Sequence, residues 1–299
     1  MAERLAEVVR AFGVSPDRIR RIGGRADTHW RVASGAEVFV LRRYADAAEA
    51  DASAAWEAAL VADLAAAGVP VPIAVTPPRR VGQGLFLLTR HLEGRKLAPG
   101  PVDDAGYRRL GRLLAGFHAV AERLPQRPQR PGWTSFAEAA EPTQGARASL
   151  LDELRRAAPE AAPRLEAMLA AFEARDLPRR FAGVPRQAIH SDFSPWNLLV
   201  RRGALCGVLD FELAHLDVAA ADVAFARRGY HDAVVDGYLE ARPLPEAQLA
   251  DLDGLWLGAL VFTLWQILAA WRRSGRPDPA DLDWHLQQLD KTRAWRPAT

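Results

Sequence analysis

The sequence predicts an α+β protein in which a small N-terminal part, with an antiparallel sheet and a helix, precedes a larger and mainly helical part. Residues 38–44 alternate between the two faces of a strand, and shorter strands are expected over residues 73–75 and 84–89. Further along the chain, apolar residues recur at helical spacing over long stretches. We therefore expect a smaller N-terminal domain followed by a larger C-terminal domain.

Size and composition are those of an ordinary globular protein. The 299 residues are 49% hydrophobic and 25% charged, which excludes a disordered chain. The formal net charge is +2 and basic residues form no block, so nucleic acid is not an expected partner. The single Cys206 excludes an internal disulfide, and the charged N-terminal segment lacks the apolar core of a signal peptide. We expect a cytoplasmic protein that associates with no membrane.

The chemically most informative segment contains His190, Asp192, Asn197 and Asp210 in the order H-x-D-x-x-x-x-N followed by D-F-x. Apolar runs enter His190 and leave Asn197, and a turn signal precedes a second apolar run that ends at Asp210. This spacing is close to the kinase arrangement, in which the first Asp accepts the substrate hydroxyl proton while the Asn and the second Asp hold Mg²⁺. Taken singly, the same residues could cap turns or end a strand.

The segment resembles the superfamily of aminoglycoside phosphotransferases, choline kinases and type II homoserine kinases, which are small-molecule relatives of the protein kinases. Residues 214–224 are similar to the G-D-P-x-x-D-L-A segment of that superfamily, but they have one extra residue between the two carboxylates, Asp217 and Asp222, and Val218 where proline is usual. Only Asp222 is therefore carried over, as the residue that braces the catalytic loop. The likeness extends over most of the chain and implies the two-lobed protein-kinase-like fold.

The resemblance also implies a nucleotide, ATP or GTP, bound with Mg²⁺ by the N-terminal lobe. Gly23 and Gly24 resemble the shortened nucleotide loop of the family, although paired glycines are also common in hairpin turns. The segment from Arg90 to Gly94 resembles the hinge between the lobes, which implies an N-terminal lobe over residues 1–94 and a C-terminal lobe over residues 95–299. There the Arg90 carbonyl and the Leu92 N–H are implied to contact the adenine edge.

A cation is expected to contact the nucleotide phosphates from the strand over residues 38–44. The chain contains no lysines other than Lys96 and Lys291, so Arg42 is the candidate. Strand alternation places Arg43 on the opposite face. Residues 56–60, on the helix expected to follow, resemble the R-E-A-A-x segment of the family, which implies that Glu57 is the partner of Arg42. A helical Glu considered alone could instead be a solvated surface residue.

The C-terminal part is expected to contain helices around residues 149–157 and 164–174, and another from Asp222 through Tyr238. Residues 254–271 include no charged side chain and approach the length of a membrane span, but glycines, polar residues and flanking acidic residues favour a buried helix. Trp256 and Trp265, within that helix, could wall an acceptor pocket.

These observations predict a kinase that moves the γ-phosphate of a nucleoside triphosphate to a hydroxyl of a small polar molecule, expected to bear an amine. Asp192, with His190 and Asp222 around it, is the predicted catalytic group, and Asn197 and Asp210 are the predicted metal ligands. The family offers aminoglycosides, amino alcohols and homoserine as acceptors, and no motif selects among them. The alternative is a catalytically silent nucleotide-binding or scaffold protein that keeps the fold. The protein is expected to be a monomer or a homodimer.

Overall fold

The computed structural model describes residues 2–23, 28–45, 49–97 and 102–292. Contacts within the chain divide it into two compact units, each assembled from separate segments. Unit 1 comprises Met1–Pro99, Arg123–Pro131 and Pro195–Glu212, and unit 2 comprises Gly100–Glu122, Gly132–Ser194 and Leu213–Thr299. The predicted boundary after residue 94 divides the chain once, whereas each unit consists of three separate segments. That boundary stays a prediction.

Unit 1 contains an antiparallel sheet in the order β1-β2-β3-β5-β4. Its strands are β1 (Arg18–Gly23), β2 (His29–Ser34), β3 (Glu37–Arg43), β4 (Arg79–Val81) and β5 (Gly84–Arg90), and helix α1 (Ala2–Ala11) precedes them. Val9 and Phe12, at and just beyond the end of α1, join Val32, Leu41 and Leu88 from the sheet in one buried core. This packing explains the alternation of the sequence, since every second side chain of β3 points into that core.

The short strand expected over residues 73–75 is not formed. Within this stretch the structure has an isolated bridge between Ala74 and Thr89, in place of a strand. Pro70 and Pro72 precede the bridge and lack the N–H groups that a ladder needs, which keeps the pairing local.

Helix α2 (Ala50–Ala66) and a second small sheet complete unit 1. The three strands of this sheet, in the order β6-β8-β9, are β6 (Arg95–Lys96), β8 (Leu198–Arg201) and β9 (Ala204–Val208). The strands β8 and β9 form the hairpin predicted after Asn197, and Asp210 follows the second strand. The sequence predicts this helix from Asp46 to Ala67, and residues 46–48 of that range lie outside the described residues.

Unit 2 is mainly helical, as expected. Its helices are α3 (Asp104–Ala121), α4 (Arg147–Ala157), α5 (Ala162–Glu173), α6 (Leu177–Arg180), α7 (Ala219–Arg227), α8 (Asp232–Ala241), α9 (Glu246–Leu249), α10 (Leu252–Ser274) and α11 (Asp283–Lys291). Two short strands, β7 (Gln187–Ile189) and β10 (His215–Asp217), pair antiparallel. The predicted continuous helix through Tyr238 is wrong, because Arg228 and Gly229 both adopt left-handed backbone angles and separate α7 from α8.

Helices α3 and α8 pack with their backbones in close contact. A Cβ atom added at Gly111 of α3 would lie 2.0 Å from the carbonyl oxygen of Val234, and one added at Gly237 of α8 would lie 1.8 Å from that of Arg108. Both distances are far below van der Waals contact. The two glycines therefore set the separation of the helices.

Helix α10 is the core helix of unit 2. It is the one helix in the described part of the chain that is long and apolar enough to cross a membrane, and 78% of its most apolar window is buried. The prediction of a buried helix is confirmed. Trp256 and Trp265 are 0% and 2% exposed, and their indole N–H groups donate to Thr292 and to the Ala139 carbonyl. Because both rings are part of this core, the suggestion that they wall an acceptor pocket is wrong.

Candidate active site

Arg42 and Glu57 form a buried ion pair in unit 1. Arg42 lies on β3, and its Nη1 donates to Glu57 Oε1 at 2.8 Å while its Nη2 donates to Glu212 Oε2 at 3.1 Å. Burial alone would lower the pKa of Arg42, but Glu57 and its other anionic neighbours raise that pKa above the ordinary value. The guanidinium is therefore permanently charged. The predicted pair is present, and the side chain of Arg43 is exposed.

Arg130 is a member of this cluster that the sequence analysis missed. Its side chain is 4% exposed, and its Nη2 donates to Glu57 Oε2 at 2.9 Å. Its Nη1 donates to the backbone carbonyl oxygens of Phe211 and Glu212, at 3.2 and 2.9 Å. Each carboxylate oxygen of Glu57 thus accepts from a different arginine. The same arginine also fixes the loop that begins at Asp210.

Asn197 and Asp210 lie at the two ends of the β8–β9 hairpin, also in unit 1. The backbone N–H of Leu209 donates to the backbone carbonyl of Asn197 at 2.8 Å, which joins the two ends. Asp210 has a φ of +66°, a conformation that is uncommon for a residue with a Cβ. Burial raises the pKa of Asp210, and the positive charges of Arg42 and Lys96 oppose that shift.

The donor set around Asp210 fits a divalent cation with oxygen ligands. Asp210 Oδ1 is buried and has no hydrogen-bond partner, an arrangement that a metal ion would satisfy. In the described residues, no group of three or more His, Cys, Asp or Glu side chains could hold a metal. Mg²⁺ does not need such a cage, because it commonly uses one or two protein oxygens together with phosphate oxygens and water.

A cavity of about 420 Å³ in unit 1 collects these groups. Its wall includes Arg42, Glu57, Asn197 and Asp210 beside apolar side chains. A volume of this size suits a small organic ligand. The cavity therefore combines a guanidinium, carboxylates and an amide with apolar surface.

The two residues predicted at the hinge, Arg90 and Leu92, line the same cavity. Gly23 is the last residue of β1, and Gly24 lies outside the described residues. Lys96 also lines the cavity, from strand β6, whereas the sequence predicted a cation there only from β3. Its position two residues after the hinge glycine was the available signal.

The loop that carries Asp192 belongs to unit 2, and its backbone donates hydrogen bonds to Asp222. Asp222 lies in the first turn of α7 and is fully buried. Its Oδ2 accepts from the backbone N–H of His190 at 2.7 Å, and its Oδ1 accepts from that of Ser191 at 2.9 Å. Ser191 has a φ of +62°. The strained turn immediately before Asp192 is thus fixed by one carboxylate.

Asp222 also accepts from a buried histidine. His118 Nε2 lies 3.0 Å from Asp222 Oδ2, and His118 Nδ1 lies 2.9 Å from the hydroxyl oxygen of Tyr238. Burial by itself raises the pKa of Asp222, but hydrogen bonds from His118 and from the His190 backbone outweigh that effect and lower it. Asp222 is therefore held as an anion by three partners: the backbone N–H groups of His190 and Ser191 and the His118 ring.

Asp217 has a different partner set, although it lies only a few residues away. Its Oδ1 accepts from the hydroxyl of Ser135 at 2.6 Å, and its Oδ2 accepts from the backbone N–H of Phe136 at 2.7 Å. Asp217 therefore anchors the short 3₁₀ helix Phe136–Glu138. This structural role agrees with carrying over only Asp222 from the family segment.

Asp192 itself is 22% exposed and forms an ion pair with Arg228, whose Nη2 lies 3.0 Å from Asp192 Oδ1. The backbone N–H of Asp192 donates to His190 Nδ1 at 3.2 Å. Arg228 follows α7 in the sequence, and no motif pointed to it. The only signal for its unusual backbone was Gly229, since glycine is common where a helix ends in a left-handed residue.

The α+β fold contains a buried Arg–Glu pair beside the hairpin that carries Asn197 and Asp210, and a second aspartate holds the loop of Asp192. This combination is that of the protein-kinase-like phosphotransferase fold. The chain belongs to the phosphotransferase enzyme family, whose profile matches residues 18–247. The predicted family and fold class are confirmed.

Three curated relatives are homoserine kinases. The protein from Phenylobacterium zucineum (strain HLK1) is 32% identical over 165 residues, which cover 51% of this chain and 48% of that protein. The one from Rhizobium johnstonii (strain DSM 114642 / LMG 32736 / 3841) is 28% identical over 224 residues, 67% of this chain and 64% of that protein. The one from Acidiphilium cryptum (strain JF-5) is 28% identical over 266 residues, which cover 78% of this chain and 76% of that protein. The chain thus spans less than two thirds of the first two.

Solved structures share the fold at low sequence identity. A microcompartment-associated aminopropanol kinase superposes with a TM-score of 0.64 at 16% identity, covering 97% of this chain and 94% of that one. Aminoglycoside phosphotransferase APH(4)-Ia with ADP and hygromycin B gives 0.64 at 16% identity, with 98% of both chains. Amicoumacin kinase in complex with AMP-PNP, Ca²⁺ and Ami gives a TM-score of 0.66 at 12% identity, covering 95% of this chain and 91% of that one.

Proposed function

We propose that the protein is a small-molecule kinase that transfers the γ-phosphoryl group of ATP, or of GTP, to a hydroxyl of a small amine-bearing acceptor. The observation that carries this proposal is the cavity of unit 1. There the buried Arg42–Glu57 pair lies beside Asp210, whose buried Oδ1 has no partner. Phosphoryl transfer needs this combination of a fixed cation and hard oxygen ligands.

In this proposal the residues of unit 1 bind and orient the nucleotide. Arg42 contacts phosphate oxygens, and Glu57 fixes the direction of its guanidinium. The backbone at Arg90 and Leu92 contacts the base. Asn197 and Asp210 would hold Mg²⁺, which supplies charge neutralisation to the phosphates when it is bound. Every one of these groups lines the cavity.

In unit 2 the proposed role of Asp192 is to orient the acceptor hydroxyl and accept its proton. The hydroxyl oxygen then forms a bond to the γ-phosphorus while the bond to the leaving β-phosphate oxygen breaks, and the nucleoside diphosphate departs. Asp222 and His190 act by positioning, since Asp222 holds the backbone of the loop that carries Asp192. A base that is held this rigidly keeps its hydroxyl partner in an attack geometry.

The acceptor is proposed to be small. The curated relatives are named homoserine kinases, and one structural neighbour is named an aminopropanol kinase. Both names describe short molecules that carry an amine and a hydroxyl, which supports this class of acceptor over a large antibiotic. Cytoplasmic location and a monomeric or homodimeric state stay predictions.

The alternative, a silent protein that keeps the fold, requires no base and no metal ligands. The chain nevertheless keeps Asp192 on a braced loop and an unpartnered Asp210 oxygen in a buried site. Maintaining an unsatisfied buried carboxylate lowers stability, so its retention favours a catalytic protein. A screen of amines, amino acids and aminoglycosides for Mg²⁺-dependent ADP release separates the alternatives directly.

The role of Asp192 is tested by Asp192→Asn, which keeps the shape of the side chain and removes the base. Turnover should fall by about 100- to 10,000-fold, with nucleotide affinity little changed. Asp152→Asn is the matched control, because Asp152 is an exposed aspartate of unit 2 that pairs with Arg155 on the surface. A folded Asp192→Asn protein with near-wild-type turnover would contradict the assignment.

A further inference from the structure

Arg228 places a positive charge against the proposed base. Its Nη2 is 3.0 Å from Asp192 Oδ1, and the two side chains are 12% and 22% exposed. Arg228 has a φ of +55°, and Gly229, which follows it, has a φ of +74°. A left-handed backbone is unfavourable for a residue with a Cβ, so the surrounding structure must hold Arg228 in this position.

A second cation and three rings lie around Arg228. Tyr107 stacks on His231 with ring centroids 3.8 Å apart and an interplanar angle of 19°, and the Tyr230 ring lies 4.2 Å from His231. Lys291 Nζ is 5.7 Å from the centroid of Tyr230. We call Tyr107, His231 and Tyr230 the aromatic stack. All three rings are partly buried.

The positive charges of Arg228 and Lys291 both act on His231. Burial first, and then the charges of Arg228 and Lys291, lower the pKa of His231 to about 4, against smaller opposing effects of Asp104 and Asp232. His231 is thus neutral at pH 7. Asp232 is itself paired with Arg227 at 2.6 Å, so it offers little compensation to the other two cations.

We propose that Arg228 and Lys291 bind a carboxylate of the acceptor, beside the hydroxyl that Asp192 orients. This inference rests on the proposed function and narrows its acceptor to a short hydroxy acid or hydroxy amino acid. A guanidinium binds a carboxylate through paired donors, and an ammonium adds an unoriented charge. A polycationic aminoglycoside would be repelled by the same two side chains.

The geometry supports a short acceptor. The guanidinium that would bind the carboxylate is in direct contact with the carboxylate that would orient the hydroxyl, so one small molecule can reach both. In this proposal the aromatic stack provides apolar surface for the carbon chain of the acceptor. Arg228 is therefore a specificity-determining residue for the proposed reaction, in addition to any effect on Asp192.

The test compares homoserine with 3-aminopropan-1-ol, which has the same hydroxyl and amine but no carboxylate. Calorimetry without nucleotide measures binding of each compound to the wild type, Arg228→Gln, Arg228→Lys and the control Arg179→Gln, which removes an exposed arginine of unit 2. The wild type should bind homoserine at least tenfold more tightly. Arg228→Gln should weaken homoserine binding by about 10- to 100-fold and leave 3-aminopropan-1-ol unchanged. Arg228→Lys should lose part of the preference, and Arg179→Gln none.

Equal binding of the two compounds by the wild type would overturn the inference, and this comparison needs no variant to fold. An equal loss of both compounds in a folded Arg228→Gln protein would also overturn it, because Arg228 would then only position Asp192. Transfer assays with the same compounds separate the inference from the function. Equally fast phosphorylation of both compounds would retain the kinase and refute the carboxylate site. Selective homoserine binding with no transfer to any acceptor would retain the site and refute the kinase.

Discussion

Replacing Arg130 with methionine should lower the free energy of unfolding by about 3 kcal/mol. Breaking a buried ion pair by removal of one partner costs about 3–5 kcal/mol. The lower end applies here because Glu57 keeps its second arginine, Arg42, at 2.8 Å. Methionine retains most of the apolar stem, so the loss is mainly that of the hydrogen bonds to Glu57 and to the loop carbonyls.

Urea denaturation followed by circular dichroism measures the effect. Arg127→Met is the matched control, because Arg127 lies in the same connection and its guanidinium also lies over the ring of Trp56, 5.5 Å from the centroid. Its partner Asp63 is 39% exposed, so the control should lose only about 1 kcal/mol. Mg²⁺-dependent nucleotide binding should weaken in Arg130→Met and not in the control.

A double-mutant cycle decides whether the ion pair is the cause. Arg130→Met and Glu57→Gln combined should destabilise the protein by about 1–2 kcal/mol less than the sum of the single effects, since the two residues are in direct contact. Strictly additive losses, or an Arg130→Met protein as stable as the control, would refute the assignment of this arginine to the Glu57 cluster.

Three further predictions concern single side chains. In steady-state kinetics, Arg42→Ala should lose most of the kinase activity, and Arg42→Lys should keep part of it. Arg43→Ala should keep nearly all of the activity. A large loss of activity in Arg43→Ala would show that the wrong face of β3 was assigned. Asp210→Ala should abolish Mg²⁺-dependent nucleotide binding in calorimetry with the fold intact, and unchanged affinity would exclude a metal role. The pKa of His231 falls from 6.5 to about 4 on folding, so its contribution to stability is complete above pH 6.5 and is lost as pH falls toward 4. His231→Gln should remove about 1 kcal/mol of this acid dependence in urea denaturation, allowing for solvent screening, and an identical pH profile would refute it.

The parts of the site that the sequence predicted are those fixed by short-range rules. Strand alternation placed Arg42 and Arg43 on opposite faces of β3. The likeness of residues 56–60 to a family segment indicated Glu57 as the partner of Arg42. Spacing alone placed Asn197 and Asp210 on either side of one hairpin. Strand alternation and hairpin spacing each concern one element or one turn.

The parts that the sequence could not predict depend on contacts between distant segments. Arg130 comes from a connection with several prolines and no periodicity, and its partner Glu57 is far away in the chain. The Arg228 contact with Asp192 depends on a backbone reversal that breaks an otherwise continuous helical pattern. Propensity is a weak guide to such positions, because tertiary packing decides which conformation is retained.

The crossing of α3 and α8 links residues without polar side chains to the geometry of the catalytic loop. His118 lies about two turns beyond Gly111 on α3, and Tyr238 follows Gly237 on α8. The 2.9 Å contact between His118 and Tyr238 joins α3 to α8. The distance between these helices depends on the absence of a side chain at Gly111 and Gly237. A single methyl at either glycine would act as a wedge, and its displacement would reach the loop through His118 and Asp222. Turnover could in this way be tuned by steric bulk alone, at sites that contact neither nucleotide nor acceptor.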